Sequence, residues 1–156
     1  MIHYVKGNLL DSNCDYICHQ VNCHGVMGSG IAKQIRERWP GVYDGYVDFC
    51  KWHNDRNYEL LGKVFVSSTV GDRRVVNMFS QYNFGYDGTR FTSYDAFARC
   101  LDVIKEHIPE DETIGFPKNI GCGLGGGNWK VISALIEEIL GEDYEVYIYE
   151  YDPKED

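Results

Sequence analysis

The sequence predicts an α/β domain with a layered, mixed sheet, and three observations carry that prediction. Six strand-like segments alternate with about four helical ones, two of the strands are joined by a hairpin signal, and two glycine-rich turns directly follow strand ends. Nothing along the chain reads as a linker, repeat or low-complexity segment, so residues 1–156 are expected to form one domain.

Residues 2–6 alternate as a short strand that ends at Gly7 and Asn8. Residues 15–22 (DYICHQVN) alternate Tyr16, Cys18 and Gln20 against Ile17, His19 and Val21, which reads as a strand of mixed polarity. His19 on that strand is expected to be a buried, hydrogen-bonded core residue. The strand runs into CHGVMGSG, residues 23–30, the first glycine-rich turn. Ile31, Ile35 and Trp39 recur four apart and predict a helix stopped by Pro40. Tyr43, Val47 and Cys50 predict a second helix to about His53, and residues 54–59 read as a polar break.

Residues 62–68 and 73–79 look like two strands joined at Val70, Gly71 and Asp72. Residues 80–91 (SQYNFGYDGTRF) form an aromatic, glycine-containing loop with no period of its own. Thr92 or Ser93 can cap the next helix, whose face is Tyr94, Phe97, Leu101, Ile104 and Ile108, with Pro109 ending it. Residues 113–117 are strand-like. The second glycine-rich turn, NIGCGLGGGN at residues 119–128, leads to a helix with Trp129, Ile132, Ile136 and Ile139 on one face. Asn128 is its expected N-cap and Gly141 its C′ residue. Residues 145–151 (EVYIYEY) close the chain as a strand.

Composition narrows the function. A net charge of −9 leaves no basic stripe for general nucleic-acid or acidic-membrane binding, while a small anion held by backbone amides stays compatible with it. No apolar run approaches a membrane span, and residues 1–10 show no signal-peptide core, so a cytoplasmic location is the expectation. The six cysteines form no C-x-x-C pair and read as free, buried thiols. Cys18, His19, Cys23 and His24 match no structural zinc spacing, and neither a metal nor a cofactor is expected.

A glycine-dense strand-to-helix turn lets amides approach an anion while the helix N-terminus presents unpaired N–H groups. The second turn formally satisfies G-x-G-x-x-G at Gly121, Gly123 and Gly126, but a Rossmann unit needs far more chain after it. No Lys-Ser/Thr pair follows, so it is not a Walker A loop. Two such cradles side by side suggest one diphosphate-bearing ligand, with a flexible surface turn as the alternative.

At this point the residues resemble the macro domain, a family that binds ADP-ribose. The likeness runs through VKGNLL, ICHQVNCHGVMGSGIA, IGCGLGGGNW and the closing VYIYEY. It looks nearest to the branch containing the terminal ADP-ribose protein glycohydrolase and the yeast ADP-ribose-1″-phosphate phosphatase. The resemblance implies a three-layer α/β/α sandwich on a six-stranded mixed sheet. It further implies that Asn8 meets the adenine amino group, the Leu9 N–H an adenine ring nitrogen, and Tyr151 the adenine face. Asn22 would contact the distal ribose. Gly28, Ser29, Gly30 and Ile31 with Gly121, Cys122, Gly123, Leu124, Gly125 and Gly126 would wrap the pyrophosphate and ribose.

The branch's glycohydrolases use a lysine after the middle hairpin and an aspartate just after the IGCGL motif. Here no lysine occurs between Lys63 and Lys105, and Gly125 follows Leu124. The lysine-adduct mechanism does not carry over, which leaves water as the nucleophile. His24 is then the candidate general acid or base, with Asn22 orienting ribose or water. Residues 80–91, with Gln81, Tyr82, Asn83 and Phe84 as contacts, are expected to close over the distal ribose as a lid. The partner expected is ADP-ribose, an ADP-ribose derivative or an ADP-ribosylated macromolecule. The activity reads as hydrolase, with a non-catalytic ADP-ribose reader and another nucleotide-binding domain, such as an NAD site, as alternatives.

Overall fold

The computed structural model describes residues 1–53, 56–69, 71–85 and 87–151. Its strands are β1 (Ile2–Lys6), β2 (Tyr16–Val21), β3 (Val64–Ser68), β4 (Arg74–Phe79), β5 (Ile114–Pro117) and β6 (Val146–Glu150). The helices are α1 (Gly30–Arg38), α2 (Pro40–Lys51), α3 (Tyr94–His107) and α4 (Trp129–Leu140), with 3-10 turns at Leu9–Asp11 and Asn57–Leu60. The sheet order is β1-β6-β5-β2-β4-β3, and among the described residues every strand pairing is parallel except β3 with β4. This is the mixed sheet expected from the hairpin. Of its turn, Val70 lies outside the described residues, as do Asn54 and Asp55 of the polar break.

Alternation along β2 sorts the two faces. Tyr16 and Cys18 join α3 and α4 in the larger core cluster, whereas Ile17 packs with Ile35, Trp39 and Val42 of the α1–α2 layer. Helices therefore cover both faces, giving three layers. A polar rung crosses the α1–α2 face between its two apolar clusters. His19 Nε2 meets Asn77 Oδ1 at 2.7 Å, and Asn77 Nδ2 donates to Ser67 Oγ at 3.1 Å. His19 is fully buried as expected, but its Nδ1 has no partner among the described residues. Burial holds its pKa down at about 4, so the ring is neutral near neutrality.

Three local expectations change. Pro40 does not merely end a helix: it occupies the first turn of α2, where its missing N–H costs nothing. The face α2 buries most deeply is Val42, Tyr46 and Cys50, one residue earlier than the Tyr43–Val47 register, with Tyr43 and Val47 half-buried at its edge. Gly141 caps α4 at φ −63°, in the right-handed region rather than as a left-handed C′ residue. Ser93, not Thr92, caps α3, accepting from the Ala96 N–H at 3.1 Å. Among the described residues no helix is long and apolar enough to cross a membrane.

Candidate functional site

The two glycine-rich turns meet because the strands that feed them are neighbours. β2 and β5 run parallel, so both turns leave the same edge of the sheet. From that edge the chain passes to β4 on one side of β2 and to β6 on the other side of β5, the arrangement that opens a crevice beyond strand ends. Pairing between β2 and β5 stops at Ile17 with Gly115, whereas β2 stays paired to β4 through Val21. The strands thus part toward their carboxyl ends. A cleft of about 370 Å³ lies there, lined by Gln20, Asn22, Val26, residues 28–32, Gln81, Phe84, Gly85, residues 117–121 and residues 123–125, with Val21.

The first turn is shaped by side chains. Asn22 Oδ1 accepts from the His24 N–H at 2.9 Å, and Asn22 Nδ2 donates to the Val26 carbonyl at 2.7 Å. Beneath it the buried Tyr46 hydroxyl lies 2.6 Å from the Asn22 carbonyl and 2.9 Å from Asn22 Oδ1, and accepts from the Gly25 N–H at 3.2 Å. The amide orientation of Asn22 is fixed by these bonds, leaving one of its N–H groups over. Ser29 is the N-cap of α1 but makes no side-chain cap bond. The N–H groups of Gly30, Ile31 and Ala32 in the first turn of α1 have no partner among the described residues, and these residues border the cleft.

The second turn is shaped by close packing. The Thr92 hydroxyl donates to the Gly121 carbonyl at 2.6 Å, and Gln20 Nε2 donates to Thr92 Oγ1 at 2.8 Å and to Gln81 Oε1 at 2.7 Å. Gln20 Oε1 in turn accepts from the Ser80 hydroxyl at 2.6 Å. The N–H groups of Phe91 and Thr92 both donate to the Gly125 carbonyl, at 2.7 and 3.0 Å. A Cβ at Gly125 would stand 2.6 Å from Thr92 Oγ1 and 2.7 Å from the Gly121 carbonyl. In this conformation the position leaves no room for a side chain such as aspartate.

The helix N-terminus after this second turn does not border the cleft. Asn128 Oδ1 accepts from the Lys130 N–H at 2.8 Å, and neither Asn128 nor Trp129 borders the cleft. Here the expectation is corrected: the helix dipole at the site belongs to α1, while the second turn offers the N–H groups of Gly123, Leu124 and Gly125, which have no partner among the described residues.

Of the residues singled out from sequence, Asn22, Gly28, Ser29, Gly30, Ile31, Gln81, Phe84, Gly121, Gly123, Leu124 and Gly125 line the cleft. Asn8, Leu9, His24, Cys122, Gly126 and Tyr151 do not. Asn8 caps the first 3-10 turn, accepting from the Leu10 N–H at 3.0 Å, and Leu9 is buried behind it. Cys122 directs its thiol to the Ile120 carbonyl at 3.3 Å, and Gly126 backs onto Arg90. Tyr151 is half-exposed beyond β6. His24 stands at the rim, edge-on to Tyr82 at 4.7 Å between centroids and 6.3 Å from the cleft-lining Phe84. Gln20, Thr92 and Lys118 are not among the site residues expected from sequence, and Asn119 enters only as the first residue of the second glycine-rich turn. Nothing local marks Asn119 as left-handed (φ 66°), and Gln20 is one polar residue on an alternating strand.

The loop after β4 is tied at both ends, by the Gln81–Thr92 bridge and by Gln20, so any movement belongs to its middle; Tyr86 lies outside the described residues. All six thiols are free, and burial pushes Cys23 and Cys100 up to about 12. Cys18 and His19 point to opposite faces of β2. Among the described residues no three His, Cys, Asp or Glu side chains group as a metal site.

Parallel strands splayed at a crossover point, with a cleft between two glycine-rich turns, define a three-layer α/β/α domain. The family model of the Macro domain matches residues 18–136, and the chain belongs to that family. It is 38% identical over 160 residues to a DNA ADP-ribosyl glycohydrolase of Mycobacterium tuberculosis, covering 96% of this chain and 42% of that protein. It is 26% identical over 178 residues to an ADP-ribose 1″-phosphate phosphatase of Debaryomyces hansenii, covering 95% of this chain and 99% of that one. The macrodomain of Thermus aquaticus DarG superposes with a TM-score of 0.75 at 26% identity, over 96% of this chain and 97% of that one. The chain spans about two fifths of the length of the curated DNA ADP-ribosyl glycohydrolases it matches.

Proposed function

We propose that residues 1–156 act as a macro domain that binds ADP-ribose in the strand-end cleft and hydrolyses a derivative of it at the distal ribose. The observation that carries this reading is the pair of unpaired N–H sets, from the start of α1 and from residues 123–125, facing one cleft. A diphosphate is the ligand that uses both. Adenine lies toward β1 and β6, near Asn8, Leu9 and Tyr151, and the distal ribose toward β4, near Asn22, Gln81 and Phe84. Gly121, Cys122 and Gly126 support the amides of the second turn.

Water is the nucleophile. On an ADP-ribosylated macromolecule its oxygen bonds to the anomeric carbon, the bond to the leaving group breaks with its electron pair, and one water proton ends on that group. On ADP-ribose-1″-phosphate the water oxygen bonds to phosphorus, the bond from phosphorus to the ribose 1″ oxygen breaks with its electron pair going to that oxygen, a water proton ends there, and ADP-ribose and inorganic phosphate leave. The free N–H of Asn22 orients ribose or water, and His24 at the rim transfers the proton. The relatives' names support the two substrate variants. A cytoplasmic location belongs to the same reading, as does no general binding to nucleic acid, which the net charge of −9 supports.

A non-catalytic reader is the second reading, favoured by one observation: among the described residues no carboxylate lines the cleft, and Gly125 has no room for one. Calorimetric titration with ADP-ribose, AMP and NAD tests the pocket, with ADP-ribose expected to bind more tightly than AMP. Equal affinities would remove the assignment. Incubation with ADP-ribose-1″-phosphate and with ADP-ribosylated DNA and protein separates enzyme from reader. Turnover that His24→Ala lowers, with ADP-ribose affinity kept, is the expected result.

A further inference from the structure

We propose that Lys118 supplies the charge that holds the diphosphate, and that Glu150 occupies its ammonium group until the ligand arrives; this rests on the ADP-ribose reading of the cleft. Among the described residues, Lys118 is the only charged one lining the cleft. Every other polar contribution there is a neutral amide or hydroxyl. In a chain of net charge −9 an incoming dianion meets an opposing field, so a single local cation weighs heavily in its capture.

The backbone fixes where this lysine stands. Its N–H donates to the Tyr149 carbonyl at 2.8 Å, which holds its Cα at the end of β5 beside β6. Asn119 then turns the chain at φ 66°, the one non-glycine residue with positive φ among the described residues, and its carbonyl accepts from the Cys122 N–H at 2.8 Å. Lys118 is thus the last residue before the second glycine-rich turn begins. Its Nζ lies 3.4 Å from a Glu150 carboxylate oxygen, with the two side chains 31% and 55% exposed.

An ion pair at that exposure and distance contributes little, about 0–1 kcal/mol, so a diphosphate with two charges can replace the carboxylate as partner. Glu150 does not lose all compensation in the exchange, because its register partner on β1 is Lys6. The four-carbon stem of Lys118 makes the swing without backbone movement. Glu150 therefore competes with the ligand, and Lys118 favours it.

The two substitutions have opposite expected signs. In calorimetric titration of the full chain with ADP-ribose, Lys118→Gln weakens binding about tenfold and flattens its dependence on salt, while Glu150→Gln tightens it several-fold. Lys118→Arg keeps the affinity within about threefold, and adenosine, which has no phosphate, binds all forms alike. Matching unfolding midpoints establish that the variants are folded. Wild type that fails to bind ADP-ribose overturns the cleft reading itself. Wild type that binds, with Lys118→Gln unchanged, overturns this inference alone, as does Glu150→Gln weakening binding in step with Lys118→Gln.

Discussion

The two glycine-rich turns look alike in sequence and are built on different physics. The first, after β2, takes its shape from hydrogen bonds: Asn22 and Tyr46 hold five backbone groups, and the turn delivers a helix N-terminus without a side-chain cap to the cleft. The second, after β5, takes its shape from missing side chains. Gly121 and Gly125 lie so close to Gln20, Thr92 and each other that a methyl group has no space, and the helix that follows is already capped. Glycine in the one mainly leaves amides accessible, and in the other mainly permits contact. The first turn should break through its polar partners and the second through any added volume.

Substituting Gly125→Asp tests the second turn most severely. The new Cβ would meet Thr92 Oγ1 at 2.6 Å and the Gly121 carbonyl at 2.7 Å, and a backbone oxygen cannot step aside. We expect a loss of about 3 kcal/mol in urea unfolding and loss of ADP-ribose binding by calorimetry. A stable, binding-competent variant would show that packing does not define this turn.

Acid should affect both turns together. His19 sits in β2, which carries the first turn and, through Gln20, braces the second. Its pKa falls from 6.5 to about 4 on folding because burial disfavours the charged ring. The unfolded chain then binds more protons than the native one between those values. This contribution is complete above pH 6.5, is lost as pH falls toward 4, and reaches about 3 kcal/mol at most. Unfolding measured from pH 7 to 4 should show a slope that His19→Gln reduces.

Tyr46→Phe tests the first turn. It removes the hydroxyl from Asn22 and Gly25 while keeping the ring, so about 1–2 kcal/mol of stability should go, together with turnover, and ADP-ribose affinity should change less. Kinetics on whichever derivative proves to be a substrate measure that split. Gly28→Ala should have the smallest effect, within about 0.5 kcal/mol in thermal unfolding, since an added Cβ meets nothing nearer than Val26 at 3.8 Å.

Much of this domain was legible in its residues. Period-two and period-four patterns located all six strands and four helices, and the hairpin between β3 and β4 announced a mixed sheet. Glycine density at strand ends marked both walls of the cleft. Those signals are local: they depend on backbone geometry and on which face of an element is apolar, and a chain carries both in its order of residues. The helix face of α2 was less determinate, because Tyr43–Val47 and Val42–Tyr46 share one spacing. What settled it was the need to bring the Tyr46 hydroxyl beneath Asn22, a contact across 24 residues.

The turn NIGCGLGGGN shows the same division. By itself the sequence determined that residues 119–128 would approach something closely and that the strand before them would end there. Only the tertiary structure decided that α1, not α4, brings the helix N-terminus to the site, and that Gln20 and Thr92 fill the space beside Gly125. It also decided that Lys118 would be the single charge lining the cleft among the described residues. Those outcomes follow from β2 lying beside β5, a pairing between segments nearly 100 residues apart. The sequence carries no local mark of it, because the energy that selects it is shared burial by the whole sheet.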